Sequence, residues 1–493
     1  MYLNPLIRFR TLGADRNFLF HGDTGKLYQI PSFGDYKSLE QRYAKLRLNQ
    51  KLPQDAFGTV GAIPAECVRQ LLSTDELPPL LQNDFQDPGF SESIRGHMKL
   101  FFVFTSYQCN LDCSYCTYSG LYKKERGHLE VTLQPASVEE TLQLIRVNSA
   151  RSEHVDIVFY GDEPLINFGA IETLVNRLNS SGSGSEYHFQ IVTNGLLLKE
   201  RIIRFCIAKR IKLQLSLDGP QEIHDRYRLT ETGKPTHALV MRALERIRKI
   251  DKDFYRNMVG LGCTIAPPFE MERIDAWFND NALFEPFSGH RGNFSVSIMN
   301  PTGDSACHRQ HPDYLPGDMD ALSEQGRQMF ERFSHYVLTG DNSRTRFIPS
   351  AMYEAPFHNF ASRCMEPKED MARWRHSGEC LPGAGGVAVG AEGALFVCSS
   401  LNLHPIGSLE AGIDESIVRE QRERYIEVRN TACCGCWVNR FCPLCPAAFK
   451  YAEGSWLDEM HCGPVRKRMD HFLDLYIRAS TGAAQKLKLF LDR

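Results

Sequence analysis

The sequence predicts an α/β protein built around a partial parallel barrel of six β-strands and their crossover helices. From residue 99 onward, short apolar β-type runs alternate with segments of helical period, which is typical of a parallel sheet wrapped by helices. Short polar, glycine-containing or cysteine-containing motifs follow several of these runs, where parallel barrels carry their chemistry. The predicted strands cover residues 99–105, 155–160, 187–193, 211–217, 258–265 and 294–299.

The N-terminal 95 residues have a different pattern. Two β-type runs, 17–21 and 26–30, are joined by Gly22-Asp23-Thr24-Gly25, which favours a hairpin. Helical stretches follow at about 36–48 and 65–73. This order predicts a small winged-helix-like domain over 1–95, and an extension packed on the barrel is the alternative.

The helix after the fourth predicted strand shows how the barrel is covered. Apolar side chains recur at Val240, Ala243, Leu244, Ile247 and Ile250, so one helix face should pack on the sheet. We expect the barrel to occupy 96–320, followed by a helical linker over 321–379 and a cysteine-rich domain over 380–493.

Composition limits the partners of the chain. Its 493 residues correspond to about three domains. The 57 Lys and Arg residues nearly balance 60 Asp and Glu residues, so no bulk positive charge favours nucleic acid or an anionic membrane. With no long apolar run and no secretory signal, we expect a cytoplasmic protein. Its 16 cysteines then indicate metal ligands more than disulfides.

The first predicted strand ends in a loop with a C-x3-C-x2-C triplet, Cys109, Cys113 and Cys116. Three thiolates satisfy three irons of a four-iron cluster and leave the fourth iron open to an exogenous ligand. A zinc site lacking a nearby fourth ligand, or three incidental thiols, are the alternatives.

This triplet, with Tyr115 before its last cysteine, resembles the motif of the radical S-adenosylmethionine (radical SAM) superfamily. The segment Gly161-Asp162-Glu163-Pro164 looks like the family's Gly-Gly-Glu-Pro, whose backbone holds the methionyl amino group of SAM. Asp162 replaces the second glycine and adds a side chain and a charge.

Two further strand ends resemble family segments that line the SAM ribose and carboxylate. They contain Asn194 in the first and Ser216 and Asp218 in the second, and Arg228 follows as in the peptide-modifying branch. The resemblance implies a partial (βα)6 radical SAM barrel that binds a 4Fe-4S cluster at the triplet. It also implies reductive cleavage of SAM to a 5'-deoxyadenosyl radical, with electrons from a donor such as flavodoxin or ferredoxin.

A second cysteine cluster lies near the C-terminus. On spacing alone, the ordered run Cys433-x2-Cys436-x5-Cys442-x2-Cys445 suits zinc as well as iron. The region, including the Gly-rich hairpin at 383–398, resembles the SPASM domain of peptide and protein maturases, which implies two auxiliary 4Fe-4S clusters and three in all. By position, one cluster would use Cys433, Cys436, Cys442 and Cys462, and the other Cys380, Cys398 and Cys445. The last ligand is open between Cys364, Cys434 and an iron coordinated by substrate.

The resemblance implies an oxidoreductase that modifies a peptide or protein, commonly a ribosomally made precursor that receives a thioether or carbon-carbon cross-link. The N-terminal unit would suit capture of a leader peptide by strand addition. Sulfatase-type oxidation is an alternative, although Ser399 and Ser400 follow Cys398 where that activity usually has an aspartate. Two further interpretations are a small-molecule radical SAM enzyme and an electron-transfer protein without SAM chemistry.

Overall fold

The fold is centred on a ten-stranded sheet in which six parallel strands form a partial barrel. We describe it from a computed structural model, which covers the following parts of the chain: residues 6–10, 17–21, 27–30, 96–118, 127–180, 185–287, 293–299, 318–343, 345–365, 386–399, 404–431, 433, 436–443 and 459–492. The N-terminal strands, which form a separate small sheet, are β1 (Leu6–Arg10), β2 (Asn17–His21) and β3 (Leu27–Ile30).

The barrel strands confirm the α/β prediction, each within a residue of its expected bounds. They are β4 (Leu100–Phe104), β5 (His154–Tyr160), β6 (Glu186–Thr193), β7 (Lys212–Ser216), β8 (Val259–Ile265) and β9 (Phe294–Ile298). All neighbouring pairs run parallel, so their carboxyl ends meet at one end of the barrel.

Twelve helices lie within the described segments. They are α1 (Pro135–Asn148), α2 (Phe168–Asn179), α3 (Glu200–Ala208), α4 (Gln221–Tyr227), α5 (His237–Ile250), α6 (Lys252–Met258), α7 (Met271–Asp280), α8 (Asp318–Thr339), α9 (Ile348–Met365), α10 (Glu415–Thr431), α11 (Glu459–Gly482) and α12 (Ala484–Leu491).

The two faces of the barrel sheet differ because side chains alternate along each strand. On β5, Val155, Ile157 and Phe159 are buried in the main core. Helix α5 buries Val240, Ala243, Leu244 and Ile247 in the same core, as its period predicts. The opposite, concave face leads to the carboxyl-end cavity described below.

A C-terminal hairpin extends the barrel sheet. Strand β10 (Gly386–Val389) pairs parallel with β4, and β11 (Ala394–Phe396) turns back against it. Two short strands, β12 (Gly407–Ser408) and β13 (Gly412–Ile413), complete the edge. The predicted Gly-rich hairpin is therefore present, and its first strand is hydrogen-bonded to the strand that precedes the cysteine triplet.

A helical layer follows the last barrel strand. Helix α8 packs on α9, α11 and α12. Phe333 lies at its centre, with ring centroids 5.7 Å from Phe357 and 5.9 Å from Phe490. None of the helices described here is long and apolar enough to cross a membrane.

The N-terminal sheet contains the predicted hairpin, β2 and β3, and a strand that the sequence analysis missed. Strand β1 pairs antiparallel with β2 over five residues, so β2 is central and β3 is the outer strand of the hairpin. The predicted helices at 36–48 and 65–73 lie outside the described residues.

Candidate active site at the carboxyl ends of the barrel strands

A cavity of about 440 Å³ lies at the carboxyl ends of the barrel strands. Strand ends β5 to β9 and the loop after β4 all contribute to its wall. Of the site residues expected from sequence, those that line it are Cys109, Cys113, Tyr115, Cys116, Gly161, Asp162, Asn194, Ser216 and Arg228. Motifs separated by more than 100 residues in the chain therefore meet at one site.

The three cysteines follow β4 on one tight loop. The Leu111 amide donates to Cys109 Sγ at 3.4 Å, and the Tyr118 amide donates to Cys116 Sγ at 3.4 Å. The Cys116 amide donates to the Cys113 carbonyl at 2.8 Å, which closes the turn between them. Burial raises the pKa of Cys109, and the charges of the other two cysteines raise it further. Burial also raises the pKa of Cys113 to about 12. The three thiols thus share one site at the cavity wall, where Cys113 is buried and Cys109 and Cys116 are partly exposed.

A buried carboxylate, Asp218, ties the cysteine loop to the ends of β7 and β8. Its Oδ2 accepts hydrogen bonds from the Tyr115 hydroxyl and from Arg228 Nε, the latter at 2.8 Å. Its Oδ1 accepts from the Thr264 amide at 2.8 Å. The side chains of Asp218 and Arg228 are 3% and 11% exposed, and the Arg228 guanidinium lies 5.6 Å from the centre of the Tyr115 ring. Asp218 therefore positions the loop from behind, and it does not line the cavity.

A neutral histidine supports this carboxylate. Nδ1 of His224, which is fully buried, accepts from the Asp218 amide at 3.2 Å, so Nε2 carries the proton toward Thr236 Oγ1. The Thr236 hydroxyl in turn donates to the Arg228 carbonyl at 2.6 Å. Burial lowers the pKa of His224 to about 4, which keeps the ring neutral near pH 7.

Glu163 points away from the cavity and joins two strand ends. One carboxylate oxygen accepts from the Leu165 amide at 3.0 Å and from the Thr193 hydroxyl at 2.7 Å, and the other accepts from the Asn194 amide at 2.8 Å. Burial raises the pKa of Glu163 to about 7, although these three donors oppose the shift. Pro164, also buried, begins the short 3-10 helix that follows, and its carbonyl accepts from Thr105.

The segment after β5 shows why a glycine begins it. Gly161 has φ of +117°, and a Cβ atom there would lie 2.5 Å from Phe104 Cδ1. Only glycine fits without displacing that ring. The next residue, Asp162, has a fully buried side chain that pairs with His128 Nδ1. The additional side chain therefore fills part of the cavity wall and is hydrogen-bonded there.

Four of the expected auxiliary ligands also come together. Burial raises the pKa of Cys433 to about 12, and the charges of Cys442, Cys436 and Cys462 contribute to the shift. The Cys436 amide donates to the Cys433 carbonyl at 2.9 Å. The set spans the loop after α10 and the start of α11.

The second auxiliary set is only partly described. Cys398 follows β11, and Cys364 lies near the end of α9. Burial raises the pKa of Tyr476, and the charge of Cys364 raises it further. Cys380, Cys434 and Cys445 lie outside the described residues.

Several cavity residues were not predicted from the sequence, including His128, Tyr160 and Thr264. Tyr160 and Thr264 lie at inward-facing positions of their strands. The alternation of side chains along a strand is the feature of the sequence that indicates this. His128 follows no strand of the barrel. The only indication in the sequence was Asp162, a charged residue where the family has glycine, since a carboxylate at that position needs a hydrogen-bonding partner.

The fold and this site define a class of enzyme: a partial parallel barrel whose first strand delivers three cysteines to a cavity at its carboxyl end. Residues 103–266 match the family described as "Radical SAM superfamily". Residues 103–266, which form most of the barrel, are therefore a radical SAM domain.

The chain is also similar to individual curated proteins. The chain is 29% identical to uncharacterized protein sll1766 of Synechocystis sp. over 34% of this chain and 44% of that protein. It is 29% identical to the serine-type anaerobic sulfatase-maturating enzyme of Bacteroides thetaiotaomicron over 29% of this chain and 34% of that one. The matched regions thus span less than half of these curated relatives.

The fold is also similar to that of a solved structure, native anSMEcpe with bound AdoMet and Cp18Cys peptide. The TM-score is 0.56 at 17% identity, covering 80% of this chain and 99% of that chain. At this identity the similarity concerns the fold.

The radical SAM family implies a 4Fe-4S cluster and SAM, and the residues present fit both. Three thiols on one loop are the donor set that such a cluster takes, and the raised pKa values of Cys109 and Cys113 would be offset when a cationic cluster binds the thiolates. The cavity volume of about 440 Å³ lies within the range of about 300–1,000 Å³ typical of small-ligand sites.

Proposed function

We propose that this chain is a radical SAM peptide maturase that abstracts hydrogen from a peptide or protein to install a post-translational cross-link. The observation that carries the proposal is the convergence of the cysteine loop and five strand ends on one cavity. The relationship to a sulfatase-maturating enzyme supports a polypeptide substrate. When bound, the cluster and SAM supply the 5'-deoxyadenosyl radical.

The protein's own residues have defined tasks in this proposal. Cys109, Cys113 and Cys116 would hold the 4Fe-4S cluster through their three thiolates. Tyr115 and Arg228, both fixed by Asp218, set the orientation of that loop beside the cavity. Gly161 and Asp162 border the part of the cavity where the resemblance places the methionyl group, and Asn194 and Ser216 border the part for the ribose and carboxylate.

The concave face of the barrel supports a peptide as the substrate. Gln190 donates to Gln214 at 2.7 Å, and Gln214 donates to Ser295 at 2.7 Å, so carboxamides and a hydroxyl from β6, β7 and β9 form a row across this face. Gly262 on the intervening strand leaves room for this contact, since a Cβ there would lie 3.3 Å from Gln214 Nε2. Side chains of this kind hydrogen-bond peptide groups well.

We further propose that the C-terminal region holds two auxiliary 4Fe-4S clusters in a SPASM domain over 380–493. The grouping of Cys433, Cys436, Cys442 and Cys462 supports the first of them. The second, with Cys380, Cys398 and Cys445, is proposed from the spacing and the resemblance. An iron content of about twelve per chain after reconstitution is expected, and zinc in place of iron in the C-terminal region would contradict it.

The decisive experiment is anaerobic incubation of the reconstituted enzyme with SAM, a reductant and the peptide encoded beside its gene. Mass spectrometry should show loss of two hydrogens, and tandem fragmentation should locate the linked residues. The matched control is the Cys109→Ala, Cys113→Ala, Cys116→Ala variant, which should leave the peptide unchanged. Cleavage of SAM without any change in the peptide would contradict the substrate assignment.

Sulfatase-type oxidation is the second candidate, and the relationship to a sulfatase-maturating enzyme is what favours it. A serine oxidised to an aldehyde also loses two hydrogens, so mass alone does not separate the two reactions. A hydrazide probe does, because it labels an aldehyde and leaves a thioether or carbon-carbon bond untouched. Labelling of the product would replace the cross-link proposal with this one.

A further inference from the structure

Three side chains with metal-ligand chemistry lie together at the amino ends of β5 and β6, and the proposed reaction uses none of them. His154 and Glu186 are directly opposite each other in the strand register, and His188 lies two residues further on the same face. His154 Nδ1 is 3.3 Å from Glu186 Oε2, and His188 Nε2 is 3.9 Å from Glu186 Oε1. One ligand atom from each residue lies within 4.8 Å of the other two.

This group is separate from the active-site cavity. It lies on the concave face of the same strands, because His154 is an even number of positions from Tyr160 on β5, and His188 is an even number of positions from Val192 on β6. Tyr160 and Val192 both line the cavity. Six residues separate His154 from Tyr160, which is roughly 20 Å along a strand. The side chains of His154, Glu186 and His188 are 67%, 65% and 50% exposed, so an ion reaches them from solvent.

We propose that His154, Glu186 and His188 bind one divalent transition-metal ion of the zinc or nickel class. Imidazole nitrogen suits these ions, whereas magnesium and calcium prefer oxygen ligands alone. At Zn–N distances of about 2.0–2.1 Å, neighbouring ligands of a tetrahedral site lie about 3.3–3.4 Å apart. The distance between His154 Nδ1 and Glu186 Oε2 already has this value. The longer distances to His188 can shorten by small rotations of these exposed side chains. Three protein ligands leave one position for water or another small ligand.

The backbone around the site is rigid. Strands β5 and β6 lie inside the sheet, between β4 and β7, and pair over six residues. A bound ion would join them at the end opposite the active site. Lys209 and Arg210 line a pocket of about 480 Å³ beside Glu186 and His188. Their positive charges oppose cation binding, so we expect micromolar and not nanomolar affinity.

The test is zinc titration of the full-length protein with its clusters loaded, after chelating resin has removed loosely bound metal. Isothermal titration should show about one zinc ion per chain, and X-ray absorption should show N/O ligands near 2.0–2.1 Å without the 2.3 Å distance of a Zn–S bond. Zinc on sulfur would indicate a displaced cluster cysteine and overturn the proposal. Iron content is measured before and after the titration.

Matched variants identify the site. His188→Ala and Glu186→Gln should each weaken zinc binding about tenfold or more, since each removes a ligand. His335→Ala should leave it unchanged, because His335 is an equally exposed histidine beside one carboxylate, Asp341 at 3.9 Å, with no third ligand described near it. Equal affinity in wild type and His188→Ala would refute the site. The proposal is independent of SAM chemistry, so zinc binding should persist in the triple cysteine variant described above.

Discussion

Two acidic side chains next to each other, Asp162 and Glu163, have different roles. Asp162 lines the cavity and pairs with His128, whereas Glu163 is turned into the protein and accepts three hydrogen bonds at the ends of β5 and β6. Glu163 is therefore a positioning residue, since it acts through the strand ends that it joins.

Replacing Glu163 with Gln should destabilise the protein by about 1–3 kcal/mol. The NH2 group of the glutamine would face a backbone N–H that now donates to the carboxylate, and that N–H would lose its acceptor. Glu172→Gln is the matched control. It removes a solvent-exposed pair with Arg201, worth about 0–1 kcal/mol. Thermal unfolding followed by circular dichroism of the anaerobic holoenzyme measures both. Equal melting temperatures for the two variants would show that the buried hydrogen bonds of Glu163 contribute no more to stability than the exposed ion pair of Glu172.

Asp162→Gly tests the additional side chain in the SAM cavity. Loss of a charge-assisted hydrogen bond of about 1.5–3 kcal/mol should free His128 and weaken SAM binding about tenfold or more. Equilibrium binding of SAM, together with the KM and kcat of uncoupled SAM cleavage, separates a change in affinity from a change in chemistry. Asp156→Gly removes the same side chain from an exposed position on β5 and should leave SAM affinity unchanged. An unaltered affinity in Asp162→Gly would exclude a role in positioning.

At the scale of elements, the loop between β7 and α4 depends on a neutral histidine. The folded pKa of His224, about 4, is below the ordinary value of 6.5, so the unfolded state binds the proton more readily. The stabilising contribution is present above pH 6.5 and is lost as the pH falls toward 4.

The prediction is a lower melting temperature as the pH falls from 7.5 to 5.5. His224→Asn should show a smaller change, since an amide oxygen near the Nδ1 position still accepts from the Asp218 amide and does not titrate. Melting curves of both proteins across that range provide the comparison. Parallel pH profiles for wild type and His224→Asn would assign the effect to other groups.

The loop after β4 presents the three cysteines as one unit. The variant Cys109→Ala, Cys113→Ala, Cys116→Ala should lose production of 5'-deoxyadenosine and keep about eight of about twelve irons. Chromatography of the nucleoside and a colorimetric iron assay measure these two quantities. Cys206→Ala removes a buried thiol from the core on α3 and should keep every iron. Residual 5'-deoxyadenosine above background in the triple variant would contradict the assignment of this loop.

At the scale of the whole molecule, the N-terminal sheet offers an edge for a precursor peptide. We propose that residues 1–95 bind a leader peptide by strand addition, which supplies main-chain hydrogen bonds and raises the local concentration of substrate. Among the described strands, β2 is paired on both sides, whereas β1 and β3 are each paired on one side; we assign the peptide to β3, the outer strand of the predicted hairpin.

Deletion of residues 1–95 should then severely slow modification of the full-length precursor and leave uncoupled SAM cleavage largely intact. Mass spectrometry of the peptide and chromatography of 5'-deoxyadenosine, from the same reactions, separate the two effects. A core peptide without its leader is the matched substrate control and should be modified equally slowly by both enzymes. If the truncated enzyme is soluble and modifies full-length precursor at the normal rate, residues 1–95 are a structural extension and do not bind the leader peptide.

The sequence by itself determined the order of the six barrel strands, the cysteine triplet and the motifs at the strand ends, because these depend on local periodicity and spacing. The sequence did not determine how residues of distant segments contact one another, even where it predicted the residues themselves. Asp218 joins Tyr115, 103 positions earlier, to Thr264, 46 positions later. Strand β10 pairs with β4 across most of the chain. Tertiary structure alone decided these contacts, and with them which acidic residue faces the cavity, because hydrogen-bond geometry follows from strand register and loop path.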